Sequence, residues 1–354
     1  LTVSSLGQLA LELVNIPSVS RNEGPITEAI AARTAALDHI RVLHVQSDAI
    51  IFGLAGTTRG PDVVLAGHSD TVPEQDNLPG RLEGDWVHGL GASDMKGSLA
   101  VMLALAAELG DAPPRLNPLF VIFGCEEIQV SESVLEGLFD ACPAMLQARL
   151  AIMMEPTANQ LHAGCLGNIQ ARLRFRGVAA HSARPWLGVN AIHEAVRALA
   201  GVVAAAPEEV VLGGLTFKEV LSVTEISGGV ANNVVPDLVT CGLNFRYGGQ
   251  RNPAQAEARL RELTGPAGEL TVVSNAASAP VAVENPLLQQ LREAGDLELG
   301  PKQAWTPVAE FAAHGLDAVN FGPGDPELIH RRDERVSVSA MDTSLSILHR
   351  FLRM

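Results

Sequence analysis

The chain has 354 residues, of which 47% are hydrophobic and 18% charged. That is the composition of a folded globular protein with room for two domains, and it excludes a disordered chain. The 25 basic and 40 acidic residues give a net charge of −15, which argues against a general nucleic-acid binder, because a phosphate backbone calls for a basic surface.

Helix patterns over Ser5–Val14 and Gly24–Ala36 come first, followed by strand-like runs "AIIFGLAG" and "DVVLAG". The opening "LTVSSLGQLALELVNIPSVS" has no basic n-region, so no secretion signal is expected. "DMKGSLAVMLALAAELG" reads as a buried helix from Asp94 to Gly110, and "PLFVIFG" and "RLAIMME" as core strands. Strands alternating with helices imply a largely parallel sheet flanked by helices. From Ile169 the text changes. Ile169, Ala171, Leu173 and Phe175 alternate with Gln170, Arg172, Arg174 and Arg176, the mark of a strand with one dry face. A helix from Val189 to Ala204, the strands "LSVTEISGG" and "LVTCGLNFRYG", a helix from Pro253 to Leu263 and the strand "ELTVVSN" follow. This β-α-β-β-α-β order predicts a ferredoxin-like sandwich. After Pro280 comes α/β text again: a helix Pro286–Ala294, the strand "AVNFG" and a helix Ser339–Arg353. The expected organisation is one α/β domain, 1–167 plus 280–354, with a βαββαβ domain inserted at 168–279.

Chemistry-bearing residues collect where the strands end. "VVLAG" runs into His68, "FVIFGC" into Glu126 and Glu127, "AIMM" into Glu155, and "AVNFGPGDPELI" into His330, while Asp94 lies in "GLGASDMKG". Ligands gather outside the carboxyl ends of the strands in open α/β sheets. Imidazole and carboxylate suit zinc or a similar divalent ion. Two histidines and three of these four carboxylates already exceed the needs of one catalytic zinc and suit two metals that share a bridging carboxylate. Each residue also has a plainer explanation: a hydrogen-bonded turn histidine, a solvated Glu-Glu loop, or Asp94 as the N-cap of the helix after it.

The ordered set "GHSDTVP", "GASDMKG", "CEE", "MEPT", "AHSARP", "NNVVP" and "GPGDPELIH…DE" resembles the dinuclear zinc aminoacylase/desuccinylase family of metallopeptidases over nearly the whole chain. Within that family "RPWLGVNAIH" and "GLTFKEVLSVTEISGGVANNVVPD" are most similar to the succinyl-diaminopimelate desuccinylases. The resemblance implies a zinc-peptidase-like catalytic domain and two divalent ions per chain, zinc foremost, with cobalt or manganese as substitutes. His68 and Glu155 would hold one ion and Glu127 and His330 the other, with Asp94 bridging. Asp70 would orient His68, and Glu126 would be the general base. His181 would stabilise the oxyanion in the other subunit's site, the inserted domain serving as lid and dimerisation surface of a homodimer. Asn232, Asn233, Arg246, Arg184 and Thr306 would contact substrate.

The sequence departs from the desuccinylase pattern at Pro307, where an acidic residue is usual, and at Glu310, where an arginine is usual. Glu310 would also face substrate, where a glutamate repels a carboxylate and attracts an amine, so succinyl-diaminopimelate is expected to be a poorer substrate than the resemblance implies. The alternative is that Glu310 points into solvent or pairs with Arg331 or Arg332. The expected reaction is hydrolysis of the amide of an N-acyl amino acid, with acetylornithine deacetylase-like or dipeptidase activity as the alternative and a non-catalytic binding protein as a third reading. The expected setting is cytoplasmic: the four cysteines form no C-x-x-C pair, and no apolar run reaches the roughly 20 residues that span a bilayer.

Overall fold

The computed structural model describes residues 3–110 and 113–354. The chain divides into two compact units: unit 1, Leu1–Gly164 with Val281–Gly300 and Thr306–Met354, and unit 2, Cys165–Pro280 with Pro301–Trp305.

Unit 1 is built on an eight-stranded sheet. Its centre holds four strands, β1 (Val63–His68), β2 (Pro118–Phe123), β3 (Leu150–Met153) and β4 (Ala318–Asn320), in the order β2-β1-β3-β4. They are mutually parallel, and all of their residues are buried. Continuous apolar runs are what strands covered on both faces require. One cover is α1 (Gly97–Glu108), buried without interruption from Gly97 to Ala106, so it behaves as a core helix rather than an amphipathic one.

The expected parallel sheet is therefore present at the centre, but its flanks are antiparallel. Ile40–Gln46 and Ala49–Leu54 extend it beyond β2, and Leu161–Ala163 pairs antiparallel with β4. Register brings the carboxyl ends level, with His68 opposite Phe123, and Ala66 and Asn320 both opposite Met153. The residues that follow those ends share one edge.

Unit 2 is an antiparallel sheet in the order Glu208–Leu212, Leu215–Gly228, Leu238–Tyr247, Gly167–Arg176, Glu269–Ala276. Without Glu208–Leu212, the four strands and two helices have the βαββαβ order and a 2-3-1-4 arrangement, which is ferredoxin-like. The extra edge strand folds back through Gly213 and Gly214, both at positive φ, the backbone that a two-residue hairpin turn demands. The dry face read from the alternation (Ile169, Ala171, Leu173, Phe175) packs with Val239, Leu243 and Phe245 beneath Ala195, Leu199 and Leu260 of the two helices.

Two helix starts differ from expectation. The helix expected from Val189 begins at Ala191, because Val189 is held in an antiparallel bridge to Val178 and Asn190 caps the helix by accepting the Ile192 and His193 N–H groups. The helix expected from Asp94 begins at Gly97. Asp94, at φ −124° and ψ 89°, lies in an irregular turn before it, so it is not the helix N-cap.

Candidate active site

His68 ends β1 with 1% exposure. Its Nε2 lies 3.1 Å from Asp94 Oδ1. The other Asp94 oxygen, Oδ2, is 3.6 Å from His330 Nε2, which lies 3.0 Å from Glu127 Oε1. One carboxylate thus stands between two imidazoles that arrive from opposite ends of the sequence. Two groups of ligand atoms lie within 4.8 Å of one another: His68 with Glu126 and Glu127, and Asp94 with Glu127 and His330. Glu155, 6% exposed after β3, is in neither group but presses on Glu126 electrostatically.

The pocket is anionic. Burial, then the Glu155 carboxylate, then Glu127 and Asp94 push Glu126 well above its ordinary pKa, against an opposing pull from His68. Burial and then Asp94 raise Glu127. Burial is the strongest influence on His68 and pulls it down, but hydrogen bonds to Asp70 and Asp94 outweigh it and leave the imidazole well above its usual value. The hydrogen bond to Glu127 lifts His330 to about 9. Crowded carboxylates and histidines of this kind are relieved by a bound cation. The donor set, imidazole and carboxylate, is what a divalent ion of the zinc type takes.

Asp70 does more than the sequence suggests. Its main-chain carbonyl faces His68 Nδ1 at 3.1 Å, closer than its carboxylate at 3.5 Å. That carboxylate accepts the N–H groups of Glu126 at 3.1 Å and Glu127 at 3.0 Å, and the Ser20 hydroxyl at 2.7 Å. It fixes the Glu-Glu turn as well as the imidazole. Glu23, 2% exposed, accepts the Cys125 N–H at 3.0 Å where Cys125 takes φ +58°. Thr157 Oγ1 accepts the Gly322 N–H and donates back to the Gly322 carbonyl, tying the Glu155 loop to the loop that leads to His330. A Cβ on Gly322 would lie 2.5 Å from the Met154 carbonyl oxygen, so only glycine permits this approach. Ser20, Glu23 and Thr157 carry no signal of these roles in the sequence, because their partners are remote.

The residues expected to contact substrate fall in several places. In unit 2, His181 is exposed on a short ribbon, Ala180–His181 paired with Val234–Val235, and Ser182 N–H donates to the Asn233 carbonyl. The structure therefore brings His181 and Asn233 together. Exposed Arg184 donates its N–H to the His181 carbonyl, and Asn232 is also exposed. Arg246 is half-buried, donating through Nε to Asn244 Oδ1 at 3.0 Å, and burial lowers its pKa.

In unit 1, Thr306 is 1% exposed and donates to Asn320 Oδ1 at 2.9 Å. Pro307 stands at the N-cap of α2 (Val308–Ala313). Glu310 lies on α2 with 8% exposure and faces Ser133, Glu136 and His314. Arg331 and Arg332, its other conceivable partners, pair instead with Asp333 and Asp76.

Burial, opposed by the Ser133 hydroxyl and His314 and aided by Glu136, raises the Glu310 carboxyl from 4.5 to about 7. An acid whose pKa is higher folded than unfolded binds more protons in the native state between those values, so it costs stability as pH rises from about 4.5 to 7. Denaturant unfolding should therefore show Glu310→Gln gaining on the wild type between pH 5 and pH 8, by a few kcal/mol at most. An identical pH dependence in the two proteins would contradict this assignment.

Histidines and carboxylates at the carboxyl ends of a parallel α/β sheet, with a ferredoxin-like unit inserted in the chain, define a metal-dependent amidohydrolase. Residues 64–354 match the model of peptidase family M20/M25/M40, and the chain belongs to that family. It is 38% identical to a succinyl-diaminopimelate desuccinylase of Corynebacterium glutamicum over 354 aligned positions, covering 97% of this chain and 95% of that one. In fold it is similar to the aminopeptidase PepT of Bacillus cereus (TM-score 0.77, 18% identity, 99% of this chain and 98% of that one). It is also similar to a dinuclear metal-binding M20 peptidase of Bacillus subtilis (TM-score 0.72, 16% identity, 99% and 97%). The resemblance read from the motifs is borne out.

Proposed function

We propose that the chain hydrolyses the amide of N-succinyl-diaminopimelate, using two divalent ions, zinc foremost. The observation that carries the metal-dependent hydrolysis is Asp94, one oxygen toward His68 and the other toward His330, with Glu127 closing the second group. The 38% identity to a succinyl-diaminopimelate desuccinylase supports the choice of substrate. His68 and Glu155 would hold one ion, Glu127 and His330 the other, and Asp94 both. When bound, the metal supplies Lewis acidity toward the amide carbonyl and lowers the pKa of water.

The remaining steps fall to the chain. Glu126, raised by burial and by Glu155, takes the proton of the attacking water and returns it to the leaving amine, as a general base with an elevated pKa can. His181 donates to the developing oxyanion, and Asn232, Asn233, Arg184 and Arg246 orient the substrate, while the buried Thr306 holds Asn320 at the end of β4. A half-buried guanidinium such as Arg246 meets a carboxylate in a charge-assisted contact.

Unit 2 exposes Trp186, Leu187, Ile192, Val196 and Val203. An apolar surface of this kind supports pairing with a second copy, which is the homodimer in which His181 would serve the partner's site. Four free cysteines are in keeping with a cytoplasmic setting. No helix among the described residues is long and apolar enough to cross a membrane.

The test is a substrate panel of N-succinyl-diaminopimelate, N-acetylornithine and simple dipeptides, with zinc or cobalt present, run on the wild type and on His181→Ala. The first substrate should lead in kcat/KM by roughly 10-fold or more, and His181→Ala should lose kcat. A lead by N-acetylornithine or a dipeptide would move the assignment to the deacetylase or dipeptidase reading.

A further inference from the structure

Glu334 lies four residues beyond His330, is 2% exposed, and is outside the ligand set. Arg335–Ser337 pairs antiparallel with Trp86–His88, placing Arg335 opposite His88. One step further, the Gly89 N–H donates to the Glu334 carbonyl at 3.0 Å. There the backbone ladder stops, because Gly91 takes φ +72° and Asp94 leaves helical geometry. The Glu334 side chain continues it. Its Oε2 accepts the Gly91 N–H at 3.0 Å, and its Oε1 accepts the N–H groups of Ser93 at 3.0 Å and Asp94 at 3.1 Å.

Buried N–H groups must find acceptors, and a turn this irregular supplies few of its own. Backbone N–H groups that donate to one carboxylate share a single planar acceptor with two oxygens. Three such hydrogen bonds, reaching across Gly91 to Asp94, fix the twist of the turn and so the direction in which the Asp94 side chain leaves it. The same stretch of chain carries His330, so one segment sets both the imidazole and the carboxylate beside it.

We propose that Glu334 is a positioning residue: it holds the Asp94 turn so that the two Asp94 oxygens stand between His68 and His330, and it thereby sets the affinity of the site for a divalent metal. The inference rests on the metal-dependent reading. Residues that orient metal ligands typically change metal affinity or activity by about 10- to 100-fold when replaced. Glutamine keeps the volume of Glu334 but offers one acceptor oxygen, and its NH₂ would confront a backbone donor.

The test uses metal-free full-length wild type, Glu334→Gln and Glu334→Ala, titrated with Zn²⁺ against a chromophoric chelator. Thermal melts and the kcat and KM of the zinc-loaded proteins are measured alongside. The expected result is a folded Glu334→Gln protein that binds Zn²⁺ at least about 10-fold more weakly, with lowered kcat and unchanged KM. Glu334→Ala, where it folds, should lose more, and where it does not, the glutamine variant decides. A Glu334→Gln protein with wild-type Zn²⁺ affinity and kcat overturns the proposal, whatever its melting temperature. A wild type that binds no Zn²⁺ overturns the metal reading first and this inference with it.

Discussion

Glu126→Gln should turn over at least about a thousandfold more slowly than the wild type while keeping its full complement of metal. General acid–base catalysis contributes about 10²- to 10⁴-fold on its own, and residues acting as a unit lose more than their separate shares. Glutamine matches glutamate in size but cannot take a proton. The substitution leaves the turn intact, because Asp70 holds residues 126 and 127 by their main-chain N–H groups. The measurement also separates two roles the geometry permits, since a carboxylate oxygen of Glu126 lies within 4.8 Å of ligand atoms of His68 and Glu127. Lost turnover with retained metal makes it the base, whereas lost metal would make it a ligand. Near-normal turnover would remove it from the chemistry.

Much of the metal pocket could be read from where apolar runs stop. His68, Glu126, Glu127 and Glu155 follow strands whose buried residues are continuous, and parallel register puts those ends side by side. The ferredoxin-like unit was legible for the same kind of reason: strict alternation along residues 169–176 survives into the structure as a buried face. What sequence could not show is how the loops are held. Glu23 meets Cys125, and Glu334 meets Gly91, Ser93 and Asp94, across 102 to 243 residues. A carboxylate that anchors backbone N–H groups leaves no periodicity. At Asp94 the sequence points two ways: "DMKGSLAVMLALAAELG" has a helical pattern from its first residue, while the glycines of "GLGASDMKG" allow an unusual backbone, and the structure takes the second course up to Gly97. Three-residue strands such as Trp86–His88 are too short to show a period at all. Glu310 stands out in the sequence only as a departure from a family pattern, and its surroundings show it buried beside a hydroxyl, a second carboxylate and an imidazole, those of Ser133, Glu136 and His314.

The largest expected effect is that of removing the metal. Four carboxylates and two histidines, brought from five separate stretches of chain, form a pocket in which neighbouring acids raise one another. That arrangement is costly without a cation and is explained by one. Wild-type protein stripped with a strong chelator, checked by elemental analysis and assayed on N-succinyl-diaminopimelate, should fall to the background rate. Stepwise return of Zn²⁺ should restore activity to a plateau at about two ions per chain, as a dinuclear site requires, while Asp94→Asn carried through the same titration should stay inactive. Full turnover by a chain shown to hold no metal would contradict the account.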